Sequence, residues 1–217
     1  MNNGLAFLLK GGPVMWPLFL CAIASVTVMI ERYFALRSVL RGSRGLRLQV
    51  RSSLAQGRER AALDLLDVRS GPIARVLRTA LEFRALGRQN MEHLVTEVAM
   101  DETPSLSRGL NILDTVITIA PLLGLLGTVT GMIAAFQVVA VSTGLSAPTE
   151  ITGGVAEALI ATATGLAIAI TTLVGYNYLT EQVRRIVAEM EMAATQLIND
   201  LELRNLSEER VHETAGV

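Results

Sequence analysis

The feature that most constrains this chain of 217 residues is three long runs that carry almost no charge. The run 11–30 has 20 uncharged residues, and the run 115–149 has 35. The third run, 151–180, has 30 residues and a single charge, Glu157. Because about 20 apolar residues in a helix span the hydrocarbon core of a bilayer, the sequence predicts an all-α membrane protein with three transmembrane helices.

The basic residues predict how these helices are oriented in the membrane. Residues 37–108 contain 13 arginines and 8 acidic residues, whereas the loop expected at about 142–150 contains no basic residue. Basic residues concentrate on the cytoplasmic side of a membrane. We therefore expect the N-terminus outside and the C-terminus inside. A retained first span is favoured over a cleaved signal peptide, because the run ends in Glu31 and Arg32 without a small-residue cleavage site.

These patterns divide the chain into seven expected segments. They are a periplasmic N-terminal segment at 1–13, transmembrane helices at 14–34, 112–141 and 152–178, a cytoplasmic helical loop at 35–111, a periplasmic loop at 142–151, and a cytoplasmic C-terminal helix and tail at 179–217. Long helices are expected to extend from the membrane into the cytoplasm. The last helix of the cytoplasmic loop is expected to run on into the second span, with Pro104 kinking or dividing it.

A heptad pattern follows the third span and predicts a helix that needs a partner. Its apolar residues recur at steps of four and three: Val183, Val187, Met190, Ala194, Leu197 and Leu201. This spacing is typical of a helix packed along one seam. Two partners remain open, namely the chain's own cytoplasmic helices and a helix bundle around the axis of an oligomer.

Small residues in the second span predict close contact between helices. Gly124, Gly127 and Gly131 follow one another at steps of three and four residues, and Gly153 and Gly154 open the third span. Lipid gives helices no hydrophobic reason to associate, so they pack through small residues that let their backbones approach. We assign these five glycines to helix packing.

The third span places its one carboxylate on a face of small and hydroxylated residues. At about 100° per residue, Glu157, Thr164 and Thr171 fall within about 40° of one another, whereas Thr162 lies about 140° away. A charge at bilayer depth is costly, and such groups usually line a wet cavity and serve transport. The alternative is an interfacial position, because Glu157 is only about six residues, roughly 9 Å, into the run. A carboxylate that is charged or neutral at modest cost suits a proton relay, so Glu157 and Thr164 are candidate ion-pathway residues.

Other classes of function find little support in the sequence. Its two histidines, His93 and His212, are far apart, and no spacing indicates a metal site, a phosphate-binding loop or another cofactor site. We therefore do not expect an enzyme. Nucleic acid is an unfavoured partner for the arginine-rich segment, because aromatic residues that would stack on bases are nearly absent from it. Anionic lipid headgroups are the favoured partner.

Three stretches together resemble the MotA/TolQ/ExbB proton channel family. "GGPVMWPLFLCAIASVTVMIERYFALR" is similar to the first span of the family, "APLLGLLGTVTGMIAAF" to the second and "GGVAEALIATATGLAIAITTLVGYN" to the third. The order of the three stretches and the predicted topology also agree. The flagellar branch usually has four spans and lacks this glutamate, so the chain looks like a member of the ExbB/TolQ branch.

The resemblance implies a function, partners and further site residues. It places Glu157, Thr128 and Thr162 on the ion pathway of a proton channel in the bacterial inner membrane. It implies a homopentamer whose pore holds a single-span ExbD- or TolR-like subunit with a membrane aspartate. The complex would couple the proton motive force to mechanical work. A TonB- or TolA-like protein is a further candidate partner. The alternatives are a non-conducting scaffold that docks partners through its arginine-rich loop, and a sodium-driven or flagellar-stator-like member of the family.

Overall fold

The computed structural model of the chain describes residues 11–69, 71–141 and 147–215, and all regular elements within them are helical. The all-α prediction is thus confirmed for these residues. The elements in order are α1 (Met15–Ala55), α2 (Glu59–Val68), α3 (Pro72–Glu82), a 3-10 turn (Arg84–Leu86), α4 (Arg88–Ser107), α5 (Leu110–Val141) and α6 (Ala147–Ala215). Helices α1, α5 and α6 each contain a stretch that is long and apolar enough to cross a membrane.

The chain folds as two units that differ in character. The first, here called the apolar unit, comprises Met1–Arg32 and Gly109–Leu179. The second, here called the charged unit, comprises Tyr33–Arg108 and Thr180–Val217. Helices α1 and α6 each supply a stretch to both units. The second and third predicted spans fall in the apolar unit, as does the first except for its last two residues.

The apolar unit has a small core where the three spans meet. Its buried residues are Val14, Met15 and Leu18 at the start of α1, Val116 and Ala120 of α5, and Ala161 and Ala169 of α6. Large apolar side chains such as Leu125, Ile133 and Ile170 remain exposed on the outside. A helix that is apolar on all sides is typical of a membrane span, because lipid takes the place of water around it.

The charged unit is built on amphipathic helices. In α3 the buried residues recur with a helical period, and they are Ile73, Val76, Leu77, Ala80 and Leu81. Pro72 begins this helix, where its missing N–H costs nothing. The apolar stripe of α3 is therefore covered within the unit.

The heptad seam of α6 is also covered within a single chain. Val183, Met190 and Leu197 are each at most 7% exposed. Polar bonds join this part of α6 to α1, because the Ser43 hydroxyl donates to the Glu189 carboxylate (2.9 Å) and Arg204 donates to the Leu54 carbonyl (2.7 Å). These observations favour the alternative in which the seam packs against the chain's own helices.

Ion pairs connect the helices of the charged unit. Arg78 pairs with Glu82 on its own helix (2.7 Å) and with Asp67 of α2 (2.6 Å). The hydrogen bond to Glu82, with the charge of Asp67, raises the pKa of Arg78 above its ordinary value. The pKa of Arg88 is raised in the same way by hydrogen bonds to Glu202 and Glu92. Much of the positive charge in the arginine-rich segment is thus matched inside the fold.

The junction between α4 and α5 differs from the sequence prediction. Pro104 lies inside α4, which continues to Ser107, so it neither ends nor divides this helix. The break falls instead at Gly109, whose φ of 80° is in the left-handed region. Glycine adopts that region without a steric penalty and commonly ends helices. The boundary between the two helices thus falls at the glycine, and the proline stays within α4.

The two methionines of α6 at 190 and 192 provide a matched test of the seam. Met190 is 0% exposed and Met192 is 51% exposed. We expect Met190→Ala to lower the free energy of unfolding by about 2–5 kcal/mol, because it leaves a cavity in a packed core. Met192→Ala should change it by less than about 0.5 kcal/mol. Thermal unfolding of the detergent-extracted chain measures both variants, and equal effects would contradict the assigned burial.

Candidate ion-pathway site

Helices α5 and α6 meet along a line of small residues. A methyl group at Gly131 would lie 2.9 Å from the Ala158 side chain and 3.1 Å from the Gly154 carbonyl oxygen. A methyl group at Gly154 would lie 2.9 Å from the Ala135 side chain. Neither position has room for a larger residue. The backbones of the two helices therefore approach as closely as glycine and alanine allow, in the manner expected of helices in lipid.

The same line continues deeper along the two helices. A methyl group at Gly124 would lie 2.9 Å from Cα of Thr162, and one at Gly127 would lie 2.5 Å from the Ala161 side chain. Gly165 packs against the Ala120 carbonyl and lies close to Gly124. Gly165 is not among the glycines predicted from the sequence to pack helices. Its spacing of eleven residues from Gly154, three helical turns, is the signal that identifies it.

Thr162 forms a hydrogen bond across this contact. Its hydroxyl donates to the Gly124 carbonyl at 2.8 Å. The bond explains why Thr162 does not share the face of Glu157, because its side chain is directed at α5. In the apolar interior it also gives the hydroxyl a partner that lipid does not offer.

Glu157 lies between Gly154 and Ala158, two residues that contact α5, and its side chain faces the beginning of the chain's first span. It is half-buried on α6, and its carboxylate oxygen Oε1 lies against Gly12, just before α1. Ala158, the next residue, is 2% exposed and faces Gly131. The carboxylate therefore projects beside the helix contact and not into it.

Thr164 and Thr171 follow Glu157 along the α1 side of α6. They line a groove of about 460 Å³ together with residues of α1 that include Ala22 and Ser25. Thr164 donates to the Ile160 carbonyl at 2.8 Å, and Thr171 donates to the Ala167 carbonyl at 2.8 Å. The oxygen of each hydroxyl can still accept a hydrogen bond from another donor. This face of α6 therefore has hydrogen-bond acceptors among otherwise apolar residues.

The remaining predicted residues lie elsewhere in the apolar unit. Thr128 is on α5, where it donates to the Leu125 carbonyl at 2.6 Å. Gly153 is exposed, and no described side chain or neighbouring helix comes within 4 Å of a methyl group placed on it. The structure thus brings Gly124, Gly127, Gly131 and Gly154 into one contact and leaves Gly153 outside it.

Taken together, these features define an α-helical membrane protein with three candidate spans and one carboxylate among hydroxyls. Comparisons with known proteins then give the family. Residues 68–192 match the MotA/TolQ/ExbB proton channel family. This match covers more than half of the chain, and the chain belongs to that family.

Individual relatives agree with the family match. A Synechocystis sp. protein named ExbB-like 1 is 34% identical over 174 residues, which cover 79% of this chain and 68% of the relative. A biopolymer transport protein, exbB1 of Vibrio cholerae, is 30% identical over 183 residues, covering 83% and 80%. The ExbB of Helicobacter pylori is 49% identical over 74 residues, covering 34% and 50%.

The glycine contact predicts which large substitutions damage the apolar unit. Gly131→Leu should force α5 and α6 apart, because the leucine side chain would overlap Ala158 and Gly154. Gly153→Leu is the control, since it introduces the same side chain at a glycine that no described residue approaches within 4 Å. We expect faster proteolysis and a lower melting temperature for the first variant alone. Equal behaviour of the two variants would contradict the contact.

The hydrogen bond of Thr162 makes a second prediction about stability. Thr162→Val should lower the stability of the extracted protein by about 0.6 kcal/mol and by at most about 1.7 kcal/mol, the range for hydrogen bonds between membrane helices. Thr171→Val is the control, because the Thr171 hydroxyl bonds only its own helix in the described contacts and is exposed. Denaturant or heat titration in detergent measures the difference. A loss at Thr171 equal to that at Thr162 would argue against the bond.

Proposed function

We propose that the chain is the ion-conducting subunit of an energy-transducing complex in the bacterial inner membrane. In this proposal protons that flow down their electrochemical gradient pass through the apolar unit and drive mechanical work in a partner subunit. Membership in the MotA/TolQ/ExbB proton channel family supports it. The names of the relatives refer to ExbB and biopolymer transport and favour the ExbB branch over the flagellar one.

The observation that carries the proposal is the position of Glu157. It is the one charged residue between positions 151 and 180. It lies half-buried beside the α5–α6 contact, and Thr164 follows on the same side of α6. A carboxylate kept at such a position has a high desolvation cost, which is typical of groups that bind a passing ion.

The proposed step is the binding and release of a proton by the Glu157 carboxylate. The hydroxyls of Thr164 and Thr171 would hold water or hydrated ions along the groove, since each has a free acceptor lone pair. Thr128 and Thr162 are assigned to the pathway on the basis of the family resemblance. Thr162 also holds α5 to α6 through its hydrogen bond. Each proton that crosses releases about 2.3 kcal/mol per 100 mV of membrane potential.

The proposal includes an assembly and an orientation. We propose a homopentamer with a single-span ExbD- or TolR-like subunit in its pore, and a TonB- or TolA-like protein as a further partner. The N-terminus would lie in the periplasm, and the charged unit would lie in the cytoplasm beside anionic lipids. The distribution of arginines along the chain supports this orientation.

The scaffold alternative draws on the arginine-rich segment and is weakened by the fold. Five arginines of that segment form ion pairs with carboxylates of the same unit: Arg51, Arg75, Arg78, Arg84 and Arg88. Charges matched in this way are less available to an acidic partner. A channel therefore accounts for more of the described residues than a scaffold does, although a sodium-driven channel would use the same carboxylate.

Ion flux into lipid vesicles tests the proposal. The full chain is reconstituted alone and with an ExbD/TolR-class subunit, and proton uptake is followed under an imposed potential. We expect uptake that depends on the partner and falls at least about tenfold in Glu157→Gln, because the amide cannot bind and release a proton. Glu157→Asp should retain part of the flux.

Controls in the same vesicles separate the alternatives. The Glu157→Gln variant must insert into the membrane, and its detergent-extracted oligomer must have the same mass as that of the unmodified chain. A loss of flux then reflects lost conduction and not lost assembly. Wild-type flux in Glu157→Gln would refute the role of the carboxylate. Flux that follows sodium and not protons would favour the sodium-driven alternative, and no flux with any partner would favour the scaffold.

A further inference from the structure

The turn before α1 has an unusual glycine that faces the carboxylate of Glu157. Gly12 has a φ of 72°, in the left-handed region. Oε1 of Glu157 occupies the space in which a side chain of Gly12 would begin. Gly12 is therefore constrained twice, by its backbone conformation and by its neighbour. A side chain at position 12 would need a left-handed backbone conformation and would require the Glu157 carboxylate to move.

This turn is anchored to the rest of the apolar unit. The Met15 N–H donates to the Gly12 carbonyl at 3.1 Å, which starts the first helical turn. Val14 and Met15 are 8% and 3% exposed and pack in the same core as Ala161, one turn after Glu157 on α6. The position of Gly12 over the carboxylate is thus set by buried contacts on both sides.

The arrangement also suits the charge of the carboxylate. The first turn of a helix carries backbone N–H groups without helical partners, and the helix dipole makes this end favourable for a negative group. Glu157 reaches the start of α1, where this field is strongest. Backbone N–H groups at that end therefore favour the charged form of a carboxylate held there.

We infer that Gly12 is a positioning residue that seats the Glu157 carboxylate at the start of α1 and covers it on that side. The inference rests on the proposed function, in which Glu157 carries the proton. It adds that the turn 11–14 sets the orientation and the accessibility of the carboxylate. A side chain at position 12 would displace the carboxylate from its seat and expose it.

A simpler explanation is that Gly12 serves only the turn. Asparagine distinguishes the two, because it tolerates the left-handed region yet carries a side chain. If the turn alone mattered, Gly12→Asn would behave as the unmodified chain does. If the seat matters, Gly12→Asn and Gly12→Ala should act alike. Gly153→Ala is the control, since no described residue lies within 4 Å of a methyl group placed there.

The test measures the chemical reactivity of Glu157 in the full chain. Membrane vesicles are treated with dicyclohexylcarbodiimide, a reagent for carboxyl groups in apolar surroundings, and the peptide with Glu157 is quantified by mass spectrometry. We expect labelling at least about threefold faster in Gly12→Ala and Gly12→Asn, because the carboxyl group stays within the apolar unit but is no longer covered by the turn 11–14, so the apolar reagent reaches it. Gly153→Ala should stay within about twofold of the unmodified chain. Glu157→Gln serves as the blank.

A double variant strengthens the assignment. Aspartate is one methylene shorter, so it withdraws from the space at position 12. In a Glu157→Asp background, adding Gly12→Ala should therefore change the labelling rate of the carboxylate less than in the unmodified background, which is the signature of two residues in contact. Equal effects in the two backgrounds would overturn the inference.

The outcomes separate this inference from the proposed function. Labelling of Gly12→Ala or Gly12→Asn at or below the unmodified rate overturns the inference, whatever the ion flux is. Faster labelling in both supports it, even if Glu157→Gln conducts normally and the channel proposal fails. If the channel proposal holds, both variants at position 12 should also lose partner-dependent flux by about threefold or more, while Gly153→Ala retains it.

Discussion

The close contact between α5 and α6 is the constraint on which the apolar unit depends. Lipid does not drive helices together as water does, so association relies on packing and on hydrogen bonds. Gly131 and Gly154 supply the packing, and Thr162 supplies a hydrogen bond to Gly124. Because these residues fix the rotation of α6 about its own axis, they also decide that Glu157 emerges on the α1 side.

Helix α6 consequently has two faces with separate tasks. The face of Ala158 and Thr162 holds α5, whereas the face of Glu157 and Thr164 carries the titratable group and hydroxyls. This division explains why Glu157 and Thr162 lie about 140° apart around the helix, which they would not do if both lined one face of a pore. The bond to the Gly124 carbonyl gives Thr162 a structural task whether or not ions pass it.

Much of this arrangement could be predicted from the sequence, and the remainder could not for physical reasons. Long uncharged runs predict the spans, because a charge in lipid is costly. The helical period of the third run predicts that Glu157 and Thr164 share one face of α6. Periodicity does not say which neighbour a face meets, so the partner of the heptad seam stayed open. The helix-breaking tendency of proline predicted a kink or break at Pro104, but the boundary between α4 and α5 lies at Gly109, which has a left-handed conformation. Gly12 matters through a contact 145 residues away in sequence, between positions 12 and 157, which no local pattern reveals.

The reciprocity of the Gly131 and Gly154 contact limits how this sequence can change over time. A methyl group on Gly131 would meet the carbonyl oxygen of Gly154 at 3.1 Å, and one on Gly154 would meet that of Gly131 at 3.3 Å. An enlarged residue in most protein cores can be accommodated by shrinking its neighbour. Here the nearest atoms are the methyl groups of Ala158 and Ala135, each at 2.9 Å, and a change of either alanine to glycine would remove that overlap. The carbonyl oxygens would remain, because they belong to the backbone of residues that already have the smallest side chain. A second substitution therefore relieves only part of the overlap, so this contact tolerates less change than the exposed faces of the two helices.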